Sequence, residues 1–170
     1  WSMHHILMDG WCLGILIGEL LHIYNALKNG LSPRLKPVHA YGSYLSWLES
    51  VDDEESLNYW RDYLSGYGGI SGLPVGVGVP EPDSVIEELD FTLDISTSDR
   101  LREVCTTLGV TENTFLQCVW GVLLGKYNGG LETDVVFGSV VSGRPGSLEG
   151  IEDMVGLFIN TIPVRVRGSA

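Results

Sequence analysis

The sequence predicts an α/β protein built from two lobes. Apolar residues recur at helical three-and-four spacing over much of the chain, while segments in its second half show the apolar runs or alternation of β-strands. A stretch rich in glycine and proline, 67–83, separates the first helices from the remaining elements. We therefore expect 1–66 to form the end of one lobe, 67–83 to be the linker, and 84–170 to form part of the second lobe.

Three helices are predicted in the first lobe. The first follows Gly10, carries apolar residues at helical spacing as far as Leu27, and ends at the breaker pair 29–30. A second helix is predicted over 41–48. The third follows the acidic run 52–55, whose negative charge complements the positive end of a helix dipole. This run therefore indicates the start of a helix rather than a binding site.

Strands and helices alternate in the second lobe. A strand predicted over 85–93 precedes a helix that Ser96 or Thr97 can cap and that stops at Gly109. Thr111 can cap the next helix, which is apolar on most sides and is therefore expected to be buried.

Two more strands are predicted towards the end of the chain. Residues 134–141 form a near-continuous apolar run, typical of a strand covered on both faces, and 161–167 alternate as the sequence stops. The first residues also resemble the end of a strand, and no initiator methionine precedes Trp1. We therefore expect these residues to be an internal piece of a longer protein.

Composition excludes several classes of function. A net charge of -12 argues against nucleic-acid binding, which requires clustered lysine and arginine. No apolar run reaches the roughly 18 residues of a membrane span, and no basic segment opens a secretion signal. Cys12, Cys105 and Cys118 lack metal-ligand spacing and are expected to be small buried residues. These features favour a cytoplasmic protein.

Two adjacent histidines, His4 and His5, precede an aspartate and a glycine at the start of the first helix. A neutral imidazole can accept a proton from, or hydrogen-bond, an attacking amine or hydroxyl. Asp9 either orients a histidine, as in a triad, or pairs with an arginine and holds the loop. We favour the second role because 6–8 look like core anchors, while Gly10 allows close backbone approach. One structural histidine with a capping aspartate also explains the pattern, and no metal site is predicted.

The segment His4-His5-x-x-x-Asp9-Gly10-Trp11 resembles the signature of the condensation domains of non-ribosomal peptide synthetases. In another block of that family, which the segment 41–47 resembles, Ser43 stands where aspartate is usual. The resemblance covers essentially the whole chain and implies the two-lobed chloramphenicol acetyltransferase-like fold, with 1–66 from the donor lobe and 84–170 from the acceptor lobe. Three further segments agree in order with blocks of that family: 41–47, 134–145 and 155–165.

The resemblance implies an amide-bond-forming enzyme. Such domains join an upstream aminoacyl or peptidyl thioester to the amine of a downstream aminoacyl thioester. Both substrates are then attached to the 4′-phosphopantetheine arms of peptidyl carrier proteins. An adjacent adenylation domain is expected in the same synthetase, and no cofactor is expected to bind this domain directly. His5 is then the reactive imidazole, in a domain of antibiotic or other secondary metabolism. The isolated fragment is expected to be inactive.

Two alternatives share this pattern. A catalytically silent module that docks carrier proteins is one, although degenerate members tend to lose the residue that stands here as His5. An epimerisation domain is the other, but those domains usually carry Ser-Trp where this chain has Trp11-Cys12. The order of the motifs and the residues within them favour a condensation domain that takes an L-configured donor.

The remaining site residues are assigned supporting roles. His4, Asp9 and Gly10 are expected to be structural, with Arg144 the best partner for Asp9 inside the chain and an arginine outside it the rival. Trp11 and Asn160 are assigned to the wall of a substrate tunnel. Packing in the core is the alternative for Trp11, and a position in a turn is the alternative for Asn160.

Overall fold

The computed structural model describes residues 1–69, 71–73, 88–128 and 133–168. Within these ranges none of the helices is both long and apolar enough to span a membrane. Two single turns of 3-10 helix, His5–Leu7 and Ile151–Asp153, accompany the longer elements. Those elements are α1 Trp11–Lys28, α2 Tyr41–Glu49, α3 Asp53–Tyr63, α4 Ile95–Leu108, α5 Glu112–Tyr127, β1 Thr133–Val141 and β2 Asn160–Gly168.

The three predicted helices of the first lobe are present as α1, α2 and α3. The acidic run indeed starts α3, because the side chain of Asp52 accepts hydrogen bonds from the backbone N–H groups of Glu54 and Glu55 at 2.9 and 3.2 Å. Local capping of this kind satisfies donors that have no partner inside the helix.

The start of α4 corrects a prediction. Asp94, rather than Ser96 or Thr97, caps the helix, and its carboxylate accepts the backbone N–H of Thr97 at 2.9 Å. Hydrogen bonds from the Ser96 hydroxyl and from Thr97 lower the pKa of Asp94 to about 2. Ser96 and Thr97 donate hydrogen bonds to this carboxylate instead of capping the helix themselves. The carboxylate is the better cap because it offers more acceptor sites than a hydroxyl. The helix ends as predicted at Gly109, whose φ of 65° is left-handed.

Thr111 caps α5 as predicted, its side chain accepting the backbone N–H of Thr114. The prediction that α5 is buried is wrong for most of its surface. Among the described residues only one side is closely covered, where Gly121 lies against Val166 of β2. Trp120, by contrast, is 39% exposed. An apolar helix is buried only where another element packs against it.

The predicted strand over 85–93 is also wrong where it can be judged. Residues 85–87 lie outside the described part of the chain, and Glu88–Leu93 have no regular structure. Leu89 and Phe91 are 90% and 80% exposed. A strand needs a neighbour for its hydrogen bonds, and within the described ranges β1 and β2 pair only with each other. Most of the predicted linker 67–83 likewise lies outside the described residues.

β1 and β2 form a two-stranded sheet. The expectation that β1 is covered on both faces is not met, since Val135 is buried but Val140 is 69% exposed. Arg165 on β2 donates two hydrogen bonds of 2.7 Å to the carboxylate of Asp134 on β1. The same guanidinium donates to the backbone oxygen of Ser65 at 2.8 Å, which ties the segment after α3 to the sheet.

Contacts divide the chain into two units that differ from the predicted linear division. The first unit comprises Trp1–Tyr63 and Ser139–Ile162, and the second comprises Leu64–Gly138 and Pro163–Ala170. Residues 139–162 therefore pack with the N-terminal helices, because this segment supplies the hydrogen-bond partners of residues in α1, α2 and the turn before α1. The donor-lobe and acceptor-lobe labels stay predictions.

The core of the first unit is largely aromatic. Phe158 is 1% exposed, and its ring centre lies 4.7 Å from that of Tyr44 and 5.1 Å from that of Tyr41. Tyr41 also donates a hydrogen bond of 2.7 Å to the carbonyl of Leu157. These contacts attach α2 to the segment that precedes β2. The buried cluster consists of Tyr44, Ile151, Met154 and Phe158.

The contact between α5 and β2 yields a prediction. A Cβ built on Gly121 would lie 2.5 Å from the Cβ of Val166. Gly121→Ala should therefore destabilise the protein by about 1–3 kcal/mol, the usual range for overpacking. Thermal unfolding followed by circular dichroism measures the effect. Gly14→Ala in α1 is the control, since nothing lies within 4 Å of its Cβ position and alanine favours helix. Equal melting temperatures for the two variants would contradict the prediction.

Candidate functional site

The two histidines occupy a single turn that is fixed at both ends. His4 caps the turn His5–Leu7, and its Nδ1 accepts the backbone N–H of Ile6 at 3.2 Å. Because an accepting ring nitrogen carries no proton, a neutral His4 has its proton on Nε2. After the turn the chain passes into the interior, where Met8 and Asp9 are 4% and 1% exposed.

The imidazole of His5 lies on the exposed side of this turn. Within the described part of the chain no hydrogen bond or ion pair engages its side chain. Ile6 and Leu7 are 68% and 65% exposed, so the prediction that they are core anchors is wrong, and only Met8 is buried. A short turn cannot bury every side chain, and the aspartate that follows it provides the anchor instead.

Asp9 is buried among hydrogen-bond donors. One carboxylate oxygen, Oδ2, accepts the backbone N–H groups of Phe158 and Ile159 at 3.0 and 3.3 Å. The other, Oδ1, lies 3.6 Å from Nη2 of Arg144 and 3.5 Å from Sγ of Cys12. The backbone N–H of Asp9 donates to the carbonyl of Gly156 at 3.3 Å. Both ends of the residue are thus bound to the segment before β2.

The same surroundings set the protonation of Asp9. Burial raises the pKa of its carboxyl, but the hydrogen bond from Phe158 opposes this effect most strongly. The hydrogen bond from Cys12, the positive charge of Arg144 and the hydrogen bond from Ile159 act in the same direction. The pKa of Asp9 consequently lies below its ordinary value, and the group is ionised at neutral pH.

Arg144 brings the opposite charge to this carboxylate. Its side chain is 5% exposed, and its Nη1 donates to the backbone oxygens of Ile151 and Met154. The guanidinium carbon lies 3.8 Å from the centre of the Phe158 ring, a stacked cation–π geometry. Only Nε is buried without a hydrogen-bond partner among the described residues. The arginine therefore joins Asp9, the 3-10 turn at 151–153 and the aromatic core.

A glycine immediately before Arg144 permits this approach. Gly143 has a φ of 62°, in the left-handed region that favours glycine. A Cβ at this position would overlap the carbonyl oxygen of Phe158. Any larger residue would push Phe158 away and with it one of the N–H groups that bind Asp9.

Trp11, Asn160 and Gly10 lie at the periphery. Trp11 is 56% exposed, and its ring N–H donates to the carbonyl of Glu152 at 3.1 Å. Asn160 is exposed at the first position of β2, and its side-chain oxygen accepts the N–H of Thr161 at 2.8 Å. Apart from its neighbours in the chain, no described residue comes within 4 Å of a Cβ placed on Gly10, so the predicted close approach of a backbone is not seen there.

The cysteines differ from one another. Cys105 is buried as predicted, whereas Cys118 is exposed, which corrects the prediction for that residue. Cys12 is fully buried, but the prediction of a small packing residue missed its contacts with Asp9 and Arg144. The sequence signal was its position, one turn of helix after an aspartate that is itself expected to be paired.

The whole chain matches one family model. The model described as "Condensation domain" covers residues 1–170. The chain is 45% identical over 170 residues to tyrocidine synthase 2 of Brevibacillus parabrevis, covering 100% of this chain and 5% of that protein. It is 47% identical over 167 residues to bacitracin synthase 3 of Bacillus licheniformis, covering 98% of this chain and 3% of that protein. The chain thus spans only a small part of these relatives.

Solved structures share the fold. The complex of the X-domain and OxyB from teicoplanin biosynthesis matches with a TM-score of 0.74 and 25% identity, covering 99% of this chain and 38% of that one. The first condensation domain of the calcium-dependent antibiotic synthetase matches at 0.68 and 20%, covering 97% and 38%. The epimerization domain from the third module of tyrocidine synthetase B matches at 0.70 and 19%, covering 97% and 38%. These matches confirm the predicted chloramphenicol acetyltransferase-like α/β fold.

The buried carboxylate yields a prediction about stability. Asp9→Asn should lower the free energy of unfolding by about 3 kcal/mol at pH 7, because it leaves the charge of Arg144 buried without its partner. The native pKa of Asp9 lies below the unfolded value of about 3.9. Its stabilisation is therefore complete above that value and is lost as pH falls through the native pKa.

Urea unfolding of the intact domain that contains this chain, from pH 7 to pH 3, measures both effects. The difference between wild type and Asp9→Asn should be constant near neutral pH and should shrink below about pH 4. Asp99→Asn is the control, because Asp99 is 67% exposed and pairs only on the surface with Arg102. A difference that stays the same at every pH would contradict the assigned role of the carboxylate.

Proposed function

Because this chain belongs to the condensation-domain family, we propose that it carries the histidine centre of an amide-bond-forming domain in non-ribosomal peptide synthesis. The donor is an aminoacyl or peptidyl thioester, and the acceptor is the amine of a second aminoacyl thioester. The observation that carries the proposal is the exposed His5 on the turn His5–Leu7, which is anchored by the residues after it. Asp9, two residues after the turn, forms a buried ion pair with Arg144.

The reaction needs no redox cofactor or metal to balance. The acceptor nitrogen attacks the thioester carbonyl, a C–N bond forms, the C–S bond breaks, and the proton lost by the nitrogen is matched by the one gained by the departing thiol. His5 hydrogen-bonds the attacking amine or accepts its proton. His5 is exposed and its ring makes no hydrogen bond or ion pair within the described residues, so a ring nitrogen is free for either role.

The sizes of two contributions to lowering the reaction barrier, orientation and proton transfer, indicate which one dominates. Holding two reactants in attack geometry accounts for roughly 7 kcal/mol or more of the barrier. Proton transfer by a positioned base adds typically 10²- to 10⁴-fold, or about 3–5 kcal/mol. Orientation of the tethered substrates therefore outweighs proton abstraction, and a firmly anchored histidine turn serves both.

We further propose the partners of this reaction. Upstream and downstream peptidyl carrier proteins present the two substrates on 4′-phosphopantetheine arms, and an adjacent adenylation domain belongs to the same synthetase. The relatives named above are synthases of tyrocidine and bacitracin, which supports this context. The three free cysteines and the acidic charge support a cytoplasmic setting.

The donor is proposed to have the L configuration. The support is the order of the motifs and the residues within them, while Trp11-Cys12, where epimerisation domains usually carry Ser-Trp, favours condensation over epimerisation. Since an epimerization domain is among the structures that share the fold, the product distinguishes the two. Racemisation of the donor without dipeptide formation would favour an epimerisation domain.

His5→Ala tests the function directly. In the complete domain with two loaded carrier proteins, dipeptide formation should fall by about 10²- to 10⁴-fold. The melting temperature should stay the same, because His5 is exposed and its side chain makes no hydrogen bond or ion pair within the described residues. Mass spectrometry of the carrier-bound product measures the rate. His22→Ala, which removes an exposed histidine of α1, is the matched control and should retain full activity.

Equal dipeptide formation by wild type and His5→Ala would remove His5 from the chemistry. If that equal rate is no higher than the rate without the domain, the remaining alternative is that the domain only docks carrier proteins.

A further inference from the structure

The sulfur of Cys12 contacts both partners of the ion pair that anchors the histidine turn. The residue is in the first turn of α1 and is 0% exposed. Its Sγ is surrounded by polar groups of Gly156, Arg144 and Asp9. The distances from Sγ are 3.2 Å to the Gly156 oxygen, 3.4 Å to the Gly156 nitrogen, 3.4 Å to Arg144 Nη2, 3.5 Å to Asp9 Oδ1 and 4.0 Å to the Met154 oxygen.

Counting protons fixes the directions of these contacts. The guanidinium of Arg144 and the N–H of Gly156 are donors only, so the sulfur accepts from both. The single S–H hydrogen then donates to an oxygen, with the Gly156 carbonyl at 3.2 Å and Asp9 Oδ1 at 3.5 Å from the sulfur both within its reach. A thiol can be donor and acceptor at once. A methyl group of similar size would leave these groups without that partner.

The sulfur thus contacts both charges of the ion pair and the peptide that supports it. The carbonyl of Gly156 also accepts the backbone N–H of Asp9 at 3.3 Å. Asp9 directly follows the turn that carries His5, and its carboxylate binds the two N–H groups just before Asn160. Movement of the Gly156 peptide would therefore be transmitted to the end of the histidine turn.

We propose that Cys12 is a positioning residue: its thiol holds the Arg144 guanidinium against Asp9 and ties both to the Gly156 peptide. Its effect on turnover rests on the function proposed above, whereas its effect on the ion pair does not. Cys12 does not touch the substrate and acts only through the geometry of the turn.

Serine and alanine separate this role from simple packing. If Cys12 only fills space, alanine should replace it at least as well as serine, because burying a hydroxyl is unfavourable. If the thiol acts as donor and acceptor, serine should preserve the contacts and alanine should lose them. The two roles therefore predict opposite orders for the same two variants.

The experiment uses the complete domain with its loaded carrier proteins. We would measure the titration midpoint of the Asp9 carboxyl by ¹³C NMR, together with kcat and KM for dipeptide formation. Cys12→Ala should raise the Asp9 midpoint, because one hydrogen-bond donor to the carboxylate is lost. It should lower kcat about fivefold with KM unchanged, the effect of one weak hydrogen bond. Cys12→Ser should remain close to wild type in both.

Cys105 provides the matched control. It is also buried, at 4% exposure, but lies in α4, and within the described residues its sulfur makes no hydrogen bond. Cys105→Ala and Cys105→Ser should leave the Asp9 midpoint and kcat unchanged. A change in these controls equal to that of the Cys12 variants would overturn the proposal, since it would show a general response to losing a buried thiol.

Other outcomes of the same experiment would also support or overturn the proposal. Cys12→Ala behaving like wild type, or better than Cys12→Ser, would overturn the proposal. A Cys12→Ala protein that does not fold, beside a Cys12→Ser protein that folds and turns over normally, would support it, and failure of both to fold would overturn it. If His5→Ala keeps full turnover, the proposed function fails, but the Asp9 titration still decides whether the thiol holds the ion pair.

Discussion

A single buried carboxylate constrains the first unit of this protein. An unpaired charge at the depth of Asp9 would cost several kcal/mol, so the chain must bring donors to it. It does so with the guanidinium of Arg144 and with the backbone N–H groups of Phe158 and Ile159. These donors come from the far end of the sequence. The histidine turn therefore takes its shape only when the segment between β1 and β2 is in place.

Arginine suits this position for reasons beyond its charge. The planar guanidinium stacks on Phe158 while its edges reach two backbone oxygens and the carboxylate. A lysine ammonium can neither stack in this way nor donate along a fixed fork. The aromatic core and the ion pair are thus one structure, because Phe158 contributes its ring to Arg144 and its N–H to Asp9. Gly143 completes it by allowing the two backbones to meet.

In this arrangement the residues that hold the structure together are buried, and the histidine that is proposed to act on the substrate is exposed. Met8, Asp9 and Cys12 are buried and bound, whereas His5 projects from the turn that precedes them. Condensation of two tethered substrates depends more on orientation than on proton transfer. An exposed His5, whose side chain makes no hydrogen bond or ion pair within the described ranges, on a turn anchored by a buried ion pair, fits the role proposed for it. Exposed Trp11, the first residue of α1, donates one hydrogen bond to Glu152, and its ring centre lies 5.6 Å from the guanidinium carbon of Arg144.

Local sequence determined the helices α1, α2, α3 and α5, because apolar spacing, an acidic first turn and the threonine cap act within a few residues. It also indicated both paired strands and the histidine motif. It failed for the strand over 85–93, for the cap of α4 and for the burial of α5, which depend on partners or on competition between neighbours. The sequence named Arg144 as the best partner for Asp9 inside the chain, but only the tertiary structure decided between it and an arginine elsewhere and placed Cys12 beside the pair. No spacing encodes those contacts, because they arise when distant segments pack together and a buried charge has to be satisfied.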